Sequence, residues 1–506
     1  MNARQRAATL AALLFACAPL TARAQEEPTP APTSLPIPST KDSVTQHTIV
    51  LGGKKIAYTA RAGSLLLRDA HGGATASVFY VAYTANGADP RTRPVTFFWN
   101  GGPGSSTIWL HMGSFGPVRV DVPKDASQPG PLPRLRDNPS SLLDTSDLVF
   151  IDAVGTGWST LVGHGTAKDY YGIDEDAAAF AQFIERWTTR NARWPSPKFL
   201  FGESYGTTRA PNVAHVLFRD GMAINGIVLL SSVLDYNFIL NTGPGEDYTA
   251  IAYLPSEAAV AWYHHKVPGN PPDLEKFVDA ARAFAGGEYA HALFLGDKLD
   301  ETTRTEIVHK LHALTGLSEA YIRAANLRIN SNRFRQELLR DEGVTLGRYD
   351  ARYSGHDLDP NGAFADYDPS DTMGSAAFIA AFNDYAFNTL RYRDDRLYNV
   401  LDFQVNRQWK YQRDDDPSAP SVVADMKEDL TTNPSLYVLS ANSYFDLATP
   451  FFGTEYLLKH MDLDPAERRR VQFTYFRSGH EAYLNSDSLV AFKARLVQFY
   501  HDALSH

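Results

Sequence analysis

Gly202-Glu203-Ser204-Tyr205-Gly206 sets a serine between two glycines in the G-x-S-x-G pattern. A serine hydroxyl attacks a carbonyl only when a base takes its proton, and the base needs an acid to orient it. Two candidates lie downstream: Asp446, in Asn442-Ser443-Tyr444-Phe445-Asp446, and His480, in Arg477-Ser478-Gly479-His480. A third feature, Asn100-Gly101-Gly102-Pro103-Gly104, is a glycine-rich turn that can aim backbone N–H groups at a developing oxyanion. The chemistry these residues could share is acyl transfer through a covalent intermediate. Other chemistries fit less well. Gly104-Ser105-Ser106 lacks the lysine that ends a phosphate-binding Walker loop. Gly479-His480-Glu481 lacks the second histidine of H-E-x-x-H, and His264-His265 would point apart on a helix. No metal and no cofactor is expected.

A nucleophile on a strained turn needs a strand before it and a helix after it. Lys198–Phe201 is an apolar strand candidate, and Thr207–Arg219 can follow as a helix. Val95–Trp99 leads into Asn100, Leu436–Ser440 leads towards Asp446, and Val471–Phe476 leads towards His480. Leu148–Asp152 and Gly226–Ser231 read as further strands. Asp174–Arg190, with an acidic first turn and apolar residues at helical spacing, reads as a helix. Ahead of these, His47–Tyr58 and Ser77–Thr84 are rich in β-branched and aromatic residues and suggest consecutive strands.

Strands alternating with helices imply a largely parallel sheet covered on both faces. The order Ser, Asp, His, with acid and base after late strands, is that of an α/β-hydrolase. The fold class expected is therefore α/β: an α/β-hydrolase with a mostly parallel central sheet flanked by helices and a large, mainly helical cap insertion. The cap is residues 236–395, where Ser256–Lys266, Leu274–Ala285, Thr303–Leu314 and Ser375–Leu390 have helical patterns. Residues 45–235 and 396–506 then form the two halves of the core. Tyr248, Trp262, Tyr263, Tyr353 and Tyr367 of the cap are candidates for an apolar pocket, although core or surface packing suits them better.

The chain of 506 residues has 44% hydrophobic and 12% aromatic residues, enough for a large core and incompatible with global disorder. A formal charge of −10 argues against a nucleic-acid binder that relies on a basic surface. With Cys17 as the only cysteine, a disulfide within the chain and a multi-cysteine zinc site are excluded. Residues 1–24 read as a signal peptide: Arg4 and Arg6 precede an apolar run from Ala7 to Leu20, and Ala22-Arg23-Ala24 suits cleavage. Residues 25–44 read as a Pro-rich linker. Export to the periplasm or exterior is expected, with lipid anchoring through Cys17 as the alternative. Beyond residue 24 no segment has 18 uninterrupted apolar residues, so no transmembrane segment is expected there.

Together the motifs resemble the serine carboxypeptidases, a family of secreted α/β-hydrolases, with this chain as a bacterial-type member. FFWNGGPGSST resembles the family's WLNGGPGCSS. Asn138-Pro139, followed by DLVFIDAVGTGWS at 147–159, resembles its NP and NxLFxDxPxGxGFS segments. FGESYG, NSYFDLATP and RSGHEAY follow in the family's order, so the likeness runs from about residue 45 to the C-terminus and omits only the cap. The resemblance implies a serine-type carboxypeptidase acting on peptide or protein C-termini. It implies Ser204 as nucleophile, His480 as general base and acid, and Asp446 as its orienter. It implies an oxyanion hole from the backbone N–H groups of Gly102 and Tyr205, and a carboxylate site from Asn100, Gly101 and Glu203. A carboxylate facing Glu203 requires a shared proton, which favours mildly acidic pH. Two positions depart from the family: Ser105 replaces the motif cysteine, and Ser114 replaces a second acidic residue before Gly116-Pro117. An esterase or acyltransferase on the same triad, and a non-catalytic binding protein on the same scaffold, are the alternatives.

Overall fold

Nine runs of β-branched, aromatic and small residues become the strands of one sheet. In chain order they are β1 (Ser43–Leu51), β2 (Lys54–Arg68), β3 (Ala74–Ala85), β4 (Val95–Trp99), β5 (Asp147–Ile151), β6 (Lys198–Ser204), β7 (Gly226–Ser232), β8 (Tyr437–Ser443) and β9 (Val471–Phe476). The computed structural model describes residues 34–39, 41–122, 132–240, 245–372, 375–413 and 420–505. The expected signal peptide and Cys17 lie outside them.

The spatial order is β1-β2-β3-β5-β4-β6-β7-β8-β9, and the short strand Thr160–Leu161 pairs with β3. From β5 to β9 every pairing is parallel. The first three strands run antiparallel to their neighbours. β4, β5, β7 and β8 are buried along their whole length, as strands covered on both faces must be. Alternate residues of β4 face opposite ways. Phe97 and Trp99 pack with the helices α2 (Ile173–Arg190) and α3 (Gly206–Arg219). Phe98 packs on the other side, where it stacks between Phe150 and Phe201 at centroid separations of 4.7 and 5.0 Å. The same core contains α1 (Ile108–Gly113) and the C-terminal helix, residues Ser486–Leu504. Each such aromatic pair adds about 0.5–1.5 kcal/mol beyond its buried area.

The chain between β7 and β8 is mainly helical and builds a core of its own, including Val260, Leu274, Val308, Leu311 and Phe334. That core also contains Phe445, Leu447 and Phe451, which flank Asp446. The first long helix of this stretch is α4 (Tyr248–Tyr263). Later, α5 (Ser375–Asp384) returns to the sheet, and Phe378 and Phe382 join the core of Phe98 and Phe150.

Three local expectations are corrected. His47–Tyr58 is not one strand: Gly52 and Gly53, at φ +53° and +79°, turn the chain into an antiparallel hairpin. The helix expected at Ser256–Lys266 begins at Tyr248, because its Ala-rich, buried surface outweighs the backbone bond lost at Pro255. It ends at Tyr263, before His265 takes φ +55°. The helix expected at Ser375–Leu390 widens after Asp384 into a π turn over Tyr385–Thr389. Among the described residues no helix is long and apolar enough to cross a membrane.

Candidate active site

Ser204 ends β6 with φ +58°, a left-handed conformation that a side-chain-bearing residue adopts only under constraint. The constraint is local. The Thr207 hydroxyl donates to Ser204 O at 2.6 Å, and Thr207 Oγ1 accepts from Val233 N at 2.8 Å. The glycine two residues earlier is dictated by space, since a Cβ on Gly202 would lie 2.0 Å from Gly206 O. α3 then starts directly behind the serine, with its first turn buried.

The glycine-rich turn after β4 lies against this elbow. A Cβ on Gly101 would lie 2.4 Å from Tyr205 N and 2.8 Å from Ser204 Cβ, so only glycine allows the approach. Gly102, at φ +104°, is exposed beside it. The turn is anchored from both sides. Arg209 of α3 donates to Asn100 O at 2.8 Å and pairs with Asp176 of α2 at 2.6 Å. Leu110 N of α1 donates to Asn100 Oδ1 at 3.0 Å. Asn100 Nδ2 in turn donates to Glu203 Oε1 at 2.7 Å.

Asp446 and His480 meet after the ends of β8 and β9. His480 Nδ1 lies 2.8 Å from Asp446 Oδ2, which places a proton on Nδ1 and leaves Nε2 as the basic nitrogen. Both side chains are buried. Asp446 also accepts from Ala448 N, Thr449 N and the Thr449 hydroxyl at 2.7–3.0 Å. The histidine backbone is fixed too: Ser231 Oγ donates to His480 O at 2.6 Å, and His480 N donates to Tyr349 O at 2.6 Å. Ser231 adjoins Ser232, which pairs in register with Ser204.

The charges are strongly perturbed. At His480, burial disfavours the cation, but the adjacent Asp446 carboxylate outweighs it and raises the pKa. Burial pushes Glu203 up to about 8, against the opposing effects of the Tyr483 hydroxyl and Asn100. Burial likewise pushes Glu481 up to about 8, with His480 opposing and Glu203 adding to the shift. Two neutral acids therefore adjoin the elbow and the histidine at neutral pH.

Several contributors carry no motif. The loop Arg348–Ala351, between the short strands Val344–Leu346 and Ser354–His356, is laced to the loops that carry Asp446 and His480. Leu447 N donates to Arg348 O at 3.0 Å, and Ala351 N to Phe445 O at 3.0 Å. The Tyr349 ring lies 5.3 Å from the imidazole of His480. Of the cap aromatics considered for a pocket, Tyr248 is exposed, while Trp262 donates to Pro271 O and Tyr263 packs on Phe445. His264 binds Ala351 O, and His265 contacts Asn270.

Residues 59–252 match the model of the serine carboxypeptidase family. The chain is related to the serine carboxypeptidases. Serine carboxypeptidase-like 44 of Arabidopsis thaliana is 33% identical over 150 residues, 28% of each chain. Serine carboxypeptidase-like 34 of the same plant is 26% identical over 196 residues, 36% of this chain and 37% of that one. The chain thus spans less than two fifths of the length of these relatives. Kex1Δp, a prohormone-processing carboxypeptidase from Saccharomyces cerevisiae, superposes with a TM-score of 0.54 at 16% identity, over 88% of this chain and 91% of that one. The fold is that of an α/β-hydrolase, with the mostly parallel sheet and flanking helices described above.

Proposed function

We propose that the chain is a serine-type carboxypeptidase that hydrolyses C-terminal peptide bonds through an acyl-enzyme. The observation that carries this reading is the buried Asp446–His480 pair after the ends of β8 and β9, with a positive-φ serine at the end of β6 in the same sheet. Ser204 is the nucleophile. His480 Nε2 takes its proton and returns it to the leaving amine, while Asp446 holds the ring and stabilises the imidazolium. The backbone N–H groups of Gly102 and Tyr205 are the oxyanion donors, a role in which one donor is worth about 2.7–4 kcal/mol. Water then cleaves the acyl-enzyme with His480 acting as base again.

Asn100, Gly101 and Glu203 form the subsite for the substrate's terminal carboxylate. A buried acid that keeps its proton at neutral pH can donate to a carboxylate, whereas an ionised one would repel it. Physiological substrates are then peptide or protein C-termini. The N-terminal sequence supports an exported enzyme, with residues 1–24 as its signal peptide. Residues 236–395 are the cap over the hydrolase core, and selectivity resides there.

The test compares kcat/KM on a blocked dipeptide and on its C-terminal amide. The carboxypeptidase reading predicts a loss on the order of a hundredfold for the amide, from the lost charge-assisted contacts. Equal rates would favour an esterase or general acyl hydrolase. Folded protein that no fluorophosphonate labels would point to a binding protein.

A further inference from the structure

By the resemblance, Ser114 stands where the serine carboxypeptidases carry a second acid, and the structure shows what surrounds it. Ser114 is fully buried, and its hydroxyl donates to Leu110 O of its own helix at 2.5 Å. It is committed to α1 and does not serve Glu203. Next to it, a Cβ on Gly113 would lie 2.8 Å from Tyr483 Cε2 and 3.0 Å from Cδ2. The Tyr483 ring therefore lies against the backbone beside Ser114, where a larger residue would exclude it. Tyr483 belongs to the single turn Ala482–Leu484 that follows His480 and Glu481, and Arg119 donates to its carbonyl at 3.2 Å.

Two buried polar atoms stand out here. The Tyr483 hydroxyl and Glu203 Oε2 make no well-formed hydrogen bond to any other group among the described residues. They lie near enough to each other, and the hydroxyl to Asn100, for hydrogen bonding among them to shift their pKa values. A tyrosine kept only for packing would be served as well by phenylalanine, because burying an unsatisfied hydroxyl costs about 1–3 kcal/mol. The phenol also differs from a carboxyl in one useful way. Burial holds its pKa well above the ordinary value, so it remains a neutral donor at any pH near neutrality.

We propose that the Tyr483 hydroxyl takes the place of the missing second acid: with Glu203 it forms the pair that receives a substrate's C-terminal carboxylate. Tyr483 acts as a positioning residue, donating towards Glu203 so that the pair offers hydrogen bonds without a second negative charge. This rests on the carboxypeptidase reading above.

The experiment measures kcat and KM separately, on the full chain, for a blocked dipeptide with a free C-terminus and for the methyl ester of the same dipeptide. Tyr483→Phe is expected to raise KM for the free acid about tenfold or more, with the rise confined to KM and to that substrate. Gly113→Ala, which sets a methyl group against the ring, is expected to reproduce the effect independently. A Tyr483→Phe KM for the free acid within about twofold of the parent value would overturn the proposal, as would an equal rise for acid and ester. If the parent protein itself fails to prefer the free acid, the carboxypeptidase reading fails first, and that result is distinct from either of these.

Discussion

Asp446 accepts hydrogen bonds from Thr449 and two backbone N–H groups as well as from His480, so its carboxylate is committed to fixing the imidazole. Asp446→Asn keeps the size but presents a donor to Nδ1 and selects the wrong tautomer. We expect kcat to fall by about 10⁴-fold with the thermal midpoint little changed, as steady-state kinetics and thermal unfolding would show. On the proposed roles, the pH profile follows from His480 and Glu203. His480 must be neutral to accept a proton, and its raised pKa moves the acid limb of kcat/KM above the ordinary imidazole value of 6.5. Glu203 must be protonated to face a carboxylate, so activity falls again as pH rises through about 8. We expect a bell centred near neutrality. Glu203→Gln should remove the upper limb and keep the lower one; a flat profile from pH 6 to 9 would contradict this. The positions of Ser204, Asp446 and His480 at the ends of strands are legible in the sequence because each follows an apolar run in a recognisable motif. Tyr349 and Tyr483 are not, because an ordinary tyrosine gains its role only from what folding places beside it.

At the scale of elements, the position of the glycine-rich turn depends on how α2 and α3 are joined. The join is the buried Arg209–Asp176 pair, whose guanidinium also holds Asn100 O and lies 4.2 Å from the Phe180 ring centroid. Arg209→Met keeps the volume but strands a carboxylate whose burial already raises its pKa. We expect a loss of about 3–5 kcal/mol in denaturant unfolding, and partial recovery when Asp176→Asn is added. The strands around this join were readable from short apolar runs: Val95–Trp99 and Val471–Phe476 form at the residues expected. The helix through Pro255 was not readable. Local propensity argues for a break there, and only burial against the rest of the inserted chain overrides it.

On the scale of the whole molecule, the chain between β7 and β8 is tied to the loops that carry Asp446 and His480. It shares a core with the loop that carries Asp446, and its Arg348–Ala351 loop lies on His480. Tyr349→Ala should therefore lower kcat, by about tenfold for a ring that limits imidazole motion, while leaving the thermal midpoint nearly unchanged because the side chain is only half-buried. This coupling had no sequence signal, since residues 349 and 480 are brought together only by the fold. The single cysteine has a matching consequence. Ser105 of the glycine-rich turn bridges through its backbone to Leu401, so among the described residues hydrogen bonding and packing hold this turn.

The most direct test of the central claim is digestion of a mixed peptide library by the purified protein, followed by mass spectrometry, with Ser204→Ala in parallel. We expect stepwise loss of single residues from free C-termini, none from amidated peptides, and none with the variant. Cuts at internal bonds, or equal trimming by the Ser204→Ala protein, would contradict it.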